Sequence, residues 1–240
     1  MGGHHSRRKD FEPVLQAVPH APACYCLRCP LGKSYPSCHV ACATELEAII
    51  EQEGADTIAA FHVEPITGTS GGALVPPDEY LTTIADICKR HDILLIADEV
   101  LTGFGRTGER MAVDHWGVQP DIIVLGKGMS GGYAAMSAVA TQPHIPEAMK
   151  KAGLAPMFHT YGGHPSQCAA ADKVLEILDR EQLVQRVQEL GPILGQKLQA
   201  LLDNPWIVDV RGTGFFTQSK SSRTKQASNY SRRRRASRSK

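Results

Sequence analysis

The chain predicts an α/β fold, a three-layer sandwich whose central sheet is mostly parallel and carries helices on both faces. Two observations lead there. Short apolar, β-branched runs recur between glycine-rich or polar turns, as in Ile93-Leu94-Leu95-Ile96-Ala97 and Ile122-Ile123-Val124-Leu125, and such runs read as strands buried on both faces. Segments with helical spacing separate or follow them, and this alternation is the pattern of a parallel sheet covered on two sides.

In chain order, 57–64 reads as the first strand. A helix follows over 77–90: Pro76-Pro77-Asp78 opens it, where the first helical N–H groups have no partner in any case, and Leu81, Ile84, Ile87 and Cys88 form its apolar face. Strands are expected at 93–98, 121–126 and 135–140. The stretch 165–202 is helical, divided near Asp179-Arg180 or near Gly191-Pro192, with Val174, Leu175, Ile177, Leu178, Leu183, Val184 and Val187 as its apolar contacts. A last strand is expected at 207–210. The organisation that results is an N-terminal segment and loop over 1–56 packing on a large domain, the large domain with its linking helices over 57–203, the start of a smaller domain over 204–217, and a basic, disordered tail over 218–240.

Two of the apolar runs end in residues that chemistry can use. One stops at Asp98, the other at Gly126 and then Lys127. In open α/β sheets ligands bind beyond the carboxyl ends of the strands, so a carboxylate and an amine share one functional edge. Lys127 is flanked by Gly126, Gly128, Gly131 and Gly132, which let backbone and ligand approach closely. A lysine in such a place is a candidate Schiff-base residue, and a strand-end carboxylate suits the protonated ring nitrogen of pyridoxal phosphate. Either residue alone reads equally as a solvated loop lysine or an ordinary strand-end aspartate; the pairing makes the chemical reading.

The sequence around these residues resembles the signature of class III pyridoxal-phosphate aminotransferases. The resemblance rests on LIADEVLTGFGRTG at 95–108 and PDIIVLGKGMSGG at 120–132, with HVEPI at 62–66, FHTYGGHP at 158–165 and VRGTG at 210–214 in the same order. It implies the fold-type-I large domain, incomplete at both ends, with pyridoxal 5'-phosphate as cofactor, an amino donor and a 2-oxo acid as substrates, and a homodimer as the working unit. Lys127 resembles the family's Schiff-base lysine, Asp98 the partner of the pyridine nitrogen, and Val100 the side chain packed on one ring face. Thr160 resembles the threonine that reaches the cofactor phosphate of the neighbouring subunit, and Glu64 a glutamate near the cofactor whose role varies. Members acting on ω-amino acids carry a second glutamate where this chain has Thr69, which argues against that substrate gate.

The resemblance runs from about Phe11 to about Phe215. The family's upstream phosphate-binding segment, its ring-stacking aromatic and its downstream carboxylate-binding arginine have no counterpart, so the chain is expected to be the central part of a longer enzyme with impaired activity. Decarboxylases, aminomutases and epimerases of the family share Lys127 and Asp98 and stay open as alternatives, as does a non-catalytic remnant whose tail binds nucleic acid.

Other signals compete. Gly103-Phe104-Gly105-Arg106-Thr107-Gly108 matches the dinucleotide-binding pattern G-x-G-x-x-G, but no helical apolar stripe follows it, as that turn requires. Cys26, Cys29, Cys38 and Cys42, beside Cys24, have a spacing able to hold zinc; packed or incidental thiols are the alternative, and no metal is assigned. Seven cysteines without a secretory signal point to a reducing compartment, the cytoplasm, with the mitochondrion left open. No apolar run approaches the ~20 residues needed to cross a bilayer. Met1-Gly2 followed by Ser6 fits the loose myristoylation pattern, too common by chance to act on.

The formal net charge of +1 hides a split. Residues 218–240 hold nine of the 26 basic residues and no acid, leaving 17 basic against 25 acidic residues, a balance of −8, in the rest. A tail of this composition cannot bury enough surface to fold. It is either a non-native end or a segment able to meet nucleic-acid phosphates; no other feature points to nucleic acid.

Overall fold

The computed structural model describes residues 4–222. Its elements are α1 (His5–Arg8), α2 (Ala41–Glu53), β1 (Ala60–Val63), α3 (Asp78–Arg90), β2 (Leu94–Asp98), β3 (Ile122–Leu125), β4 (Ala138–Thr141), α4 (His144–Lys151), α5 (Pro165–Arg180), α6 (Leu183–Gln199), β5 (Ile207–Thr213) and β6 (Phe216–Ser221). A four-stranded sheet runs in the order β1-β2-β3-β4, and β5 and β6 form a separate two-stranded sheet. β1, β2 and β3 are parallel, with β4 returning antiparallel to β3. The α/β class and mostly parallel sheet are those the sequence predicts.

The core lies between this sheet and the helices α2 and α3. Leu81, Ile84, Ile87 and Cys88 of α3 meet Ala43, Leu46 and Ile50 of α2 and Leu95 and Ala97 of β2. The apolar face read for 77–90 is thus the buried face of α3, extended by Tyr80. Glu47 joins the two helices by accepting from Arg90 and by pairing with His91 at 2.6 Å.

Burial of the strands differs from the expectation in an informative way. Leu95 and Ala97 are buried, whereas Leu94, Ile96 and Asp98 are only half-buried. The run is apolar throughout, but α2 and α3 cover one face alone, so successive side chains alternate between a dry and a partly open side. Asp98 falls on the open side.

The helical stretch 165–202 divides at Glu181 and Gln182, with Gln182 in the left-handed region at φ +54°. Pro192 lies inside α6 without ending it. Val174, Leu175, Leu183, Val184 and Val187 are half-buried; Ala171 and Gly191 are the buried positions of the two helices. α2 and α4 are helices that the sequence reading left unassigned.

The last strand is longer than expected and has a partner. β5 extends to Thr213, and Phe216–Ser221 pairs with it antiparallel. Residues 218–221, expected to begin a disordered tail, therefore belong to a strand. Their side chains are polar, and the backbone ladder to β5 rather than burial holds them there. The rest of the tail, 223–240, lies outside the described residues. The hairpin docks on the large unit through Gly214: a Cβ there would sit 2.5 Å from the Thr107 backbone, and Phe215 N–H donates to the Arg106 carbonyl at 3.0 Å.

Ile84 is fully buried at the meeting of α2, α3 and β2. Ile84→Ala is expected to lower unfolding stability by about 3 kcal/mol, as transfer and cavity terms add, measured by urea denaturation at unchanged m-value.

Candidate functional site

Parallel pairing brings the three strand ends level. Val63 lies opposite Ala97, and Asp98 opposite Val124. Glu64, Asp98 and Lys127, each at or just beyond the carboxyl end of its strand, consequently gather on one edge of the sheet. Asp98 closes β2 with its carboxylate one-quarter exposed: Oδ1 accepts the Val100 N–H at 3.1 Å, and Oδ2 lies 3.7 Å from His62 Nε2. The Val100 bond fixes the carboxylate against the turn that follows the strand and leaves Oδ2 available.

Val100 also marks where β2 and β3 approach each other. A Cβ at Gly126 would lie 3.6 Å from Val100 Cγ1, in ordinary contact. Lys127 then opens a short helical turn, Lys127–Ser130, with its backbone at φ +40°. A non-glycine residue held in that region carries local strain, which persists only where the surroundings over-determine it. Here they do: Met129 N–H returns to the Gly126 carbonyl at 3.0 Å, Ser130 Oγ donates to the Ala134 carbonyl at 2.6 Å, and α5 packs on the turn, with Val174 3.4 Å from where a Gly131 Cβ would stand. The Lys127 side chain is exposed, and among the described residues its amine makes no hydrogen bond or ion pair. Its Nζ is open to solvent.

Glu64 is the half-buried member. Burial pushes its carboxyl above the usual range, the Gly68 N–H on it pulls the other way, the Asp98 charge adds to the rise, and His62 and Lys127 oppose it. Gly68 can approach so closely because it lacks a side chain: a Cβ there would meet Leu101 Cδ1 at 2.3 Å and Glu64 Oε1 at 2.7 Å.

Four of the five expected site residues, Glu64, Asp98, Val100 and Lys127, thus come together. Thr160 does not join them. It stands exposed, as do all of 151–164, among the exposed side chains of Met157, Phe158 and Tyr161, and no hydrogen bond ties it to the strand-end residues.

Two residues enter that the sequence reading missed. His62 stands two positions before Glu64, so strand alternation places it on the open face with Asp98, a signal available in principle. Glu99 is fully buried, accepting from the Thr102 hydroxyl and from Val113 N–H at 2.9 Å, and burial pushes its carboxyl up. It holds the long connection between β2 and β3. Within that connection the G-x-G-x-x-G segment is a series of turns with positive φ at Phe104, Gly105 and Gly108. The nearest regular element after it is the short turn Ala112–Trp116, not the helix that a dinucleotide site needs.

Cys26, Cys29, Cys38 and Cys42 line one cavity of about 20 Å³, room for about one water. None of the seven cysteines forms a disulfide. Hydrogen bonding to Cys26 and Cys42 holds the Cys24 thiol protonated and pushes it up, while the same bond from Cys24 lowers Cys42. Among the described residues, no three His, Cys, Asp or Glu side chains are arranged to hold a metal ion. Among the described residues, no helix is long and apolar enough to cross a membrane.

Because folding raises the Glu64 pKa, its contribution to stability is full in acid and is lost as pH rises through the raised value. Glu64→Gln, which keeps an acceptor for Gly68 N–H, is expected to melt above the wild-type chain at about pH 7.5, with the two converging towards about pH 4. Thermal melts across that range check the sign.

The family model of class III aminotransferases matches residues 2–235, beyond both ends of the stretch that carries the motifs. The uncharacterized aminotransferase YhxA of Bacillus subtilis is 42% identical over 218 residues, covering 89% of this chain and 47% of that protein. An omega-amino acid–pyruvate aminotransferase of Pseudomonas putida is 37% identical, covering 90% and 49%. The crystal structure of a thermostable (S)-enantioselective omega-transaminase from Thermomicrobium roseum superposes with a TM-score of 0.84 at 38% identity, covering 92% of this chain and 50% of that one. The chain spans about half the length of the curated relatives it matches. It belongs to the class III aminotransferase family.

Proposed function

We propose that the sheet edge formed by Glu64, Asp98, Val100 and Lys127 holds pyridoxal 5'-phosphate and serves the transfer of an amino group between an amino compound and a 2-oxo acid. The observation that carries this reading is the placement of a free amine on strained backbone at the same strand-end edge as a half-open carboxylate. The residues present fit the group. An exposed lysine is flanked by glycines, a carboxylate keeps one oxygen unengaged by backbone, and the apolar side chain of Val100 lies beside Gly126.

Bound pyridoxal phosphate supplies an aldehyde that captures amines and a ring that accepts electrons. Each residue then has a definite task. Lys127 Nζ would hold the aldehyde as an imine, with loss of water, and as a free amine would be placed to move a proton. Asp98, held in place by Val100 N–H, would favour a proton on the ring nitrogen, because a negative charge favours the charged form of its partner. Val100 would offer the ring an apolar surface. Glu64 adds a second, burial-raised carboxyl beside the first, and the glycines at 126 and 128 keep the approach to Lys127 open; a Cβ at Gly128 would crowd Phe104 at 3.2 Å.

Thr160 acts in a second copy of the chain. Its position away from the strand ends, on an exposed stretch flanked by Met157, Phe158 and Tyr161, supports a role across a homodimer interface that covers these side chains. Relatives named for transfer of amino groups to pyruvate make pyruvate the first acceptor to test. Transamination is favoured over decarboxylation or epimerisation because the relatives named above are aminotransferases.

Incubated with pyridoxal phosphate, the chain is expected to develop a long-wavelength absorbance band that Lys127→Ala does not develop; a band of full size in Lys127→Ala would contradict the reading. Asp98→Asn keeps the shape and removes the charge. It is expected to bind the cofactor but to slow amino transfer to pyruvate by about 100-fold, or ~3 kcal/mol of transition-state stabilisation, measured with a panel of amino donors.

A further inference from the structure

Arg211 lies on β5, outside the sheet that carries Lys127, yet its guanidinium is turned towards the loop after β1. Its side chain is 14% exposed. Nε donates to the Gly72 carbonyl at 2.5 Å, Nη2 to the Gly71 carbonyl at 2.6 Å, and Nη1 to Asp209 Oδ2 at 2.6 Å and to the Tyr25 hydroxyl at 3.4 Å. Its central carbon stands 5.1 Å over the Tyr25 ring, which Lys220 caps at 5.0 Å. A cation this buried is tolerated only when its donors are paired, and the planar fork suits two adjacent carbonyls in a way that a lysine ammonium does not.

The clamped turn leads directly to the site. Gly72 N–H donates to the Gly68 carbonyl at 2.6 Å, and Gly68 lies against the Glu64 carboxylate, with Oε1 2.7 Å from where a Gly68 Cβ would stand and the Gly68 N–H favouring the charged carboxylate. Thr67 and Leu74 close the base of the loop through paired backbone bonds of 3.0 and 3.2 Å. An unbroken polar chain therefore runs from Arg211 through Gly72 and Gly68 to Glu64. Gly72 has no room for a side chain in the clamp, since a Cβ there would stand 3.2 Å from Arg211 Nη2 and 3.1 Å from Gln218.

We propose that Arg211 is a positioning residue for Glu64: by clamping the carbonyls of Gly71 and Gly72 it keeps Gly68 N–H on the carboxylate beside Asp98 and Lys127. The proposal rests on the reading that Glu64 belongs to the cofactor site. It makes the β5–β6 hairpin part of that site's geometry without placing any hairpin atom in it. Asp209 and Tyr25 set the direction of the guanidinium, so that the N-terminal segment takes part in the same support.

The Gly68 amide reports this arrangement because it donates to Glu64. In the isotope-labelled 240-residue chain its resonance is expected to move as Glu64 ionises. In Arg211→Met the amplitude of that movement is expected to fall about threefold, and exchange of the Gly68 and Gly72 amides to speed about tenfold, while the β2 amides keep their protection. Arg211→Lys keeps the charge beside Asp209 but gives up the fork, and is expected to retain about half the amplitude. A folded Arg211→Met whose Gly68 amide follows Glu64 as in the wild-type chain would overturn the proposal. Where Arg211→Met does not fold, undiminished amplitude in Arg211→Lys would do so. Neither measurement involves pyridoxal phosphate, so a failure of the cofactor reading would show in the absorbance of Lys127→Ala and not here.

Discussion

The register of three parallel strands is the constraint on which the site depends. Ala60 to Val63 pair with Leu94 to Ala97, and Ile96 to Asp98 pair with Ile122 to Val124. This alignment ends β1, β2 and β3 together and so delivers Glu64, Asp98 and Lys127 to one edge. Parallel strands stand about 4.8 Å apart, close enough for side chains on neighbouring strand ends to feel each other's charge. A slip of one residue in β2 would turn Asp98 to the face that α2 and α3 bury and bring Ala97 to the open side. The hydrophobic pairing that fixes the register is thus also what aims the carboxylate.

Unequal covering of the sheet is the second condition. α2 and α3 dry one face, and the cluster of Leu46, Ile50, Ile84, Leu95 and Ala97 supplies its stability. The other face stays half-open where Asp98 and His62 stand. Partial burial there has an electrostatic consequence: two carboxylates and one amine share a small region, and the more enclosed carboxylate, Glu64, holds its proton to higher pH. Glu99, next to Asp98 in sequence, points to the dry side and spends its charge on Thr102 and Val113. Adjacent acids therefore face an open and a dry side of the sheet by alternation alone.

Much of this was legible in the residues. A strand ending at Asp98 and another stopping just before Lys127 follow from apolar runs bounded by glycine or polar residues, and the amphipathic spacing of α3 reports its buried face directly. The alternation within β2 was not legible, because a run of leucine, isoleucine and alanine looks the same whichever face is covered. β6 escaped because its stability comes from pairing with β5, and nothing in Thr217, Gln218, Ser219 and Lys220 announces a strand. Of the two breaks read for 165–202, the one near Asp179-Arg180 adjoins the turn at Glu181 and Gln182, whereas Pro192 suggested a break that the helix does not make. Arg211 is the clearest case of hidden information, since its bonds to Gly71 and Gly72 span about 140 positions and only the folded chain brings them together. Thr160 is the opposite case: the resemblance to the family singles it out, whereas this chain's own fold leaves it exposed and apart from the strand ends.

The central claim is that the sheet edge presents Lys127 as the residue that binds pyridoxal phosphate covalently. Borohydride reduction of the loaded chain, followed by peptide mapping, tests it most directly, because reduction turns the reversible bond into a stable pyridoxyl group on whichever amine formed it. The account predicts the modification on Lys127, and it would be contradicted by modification of another lysine with Lys127 left free.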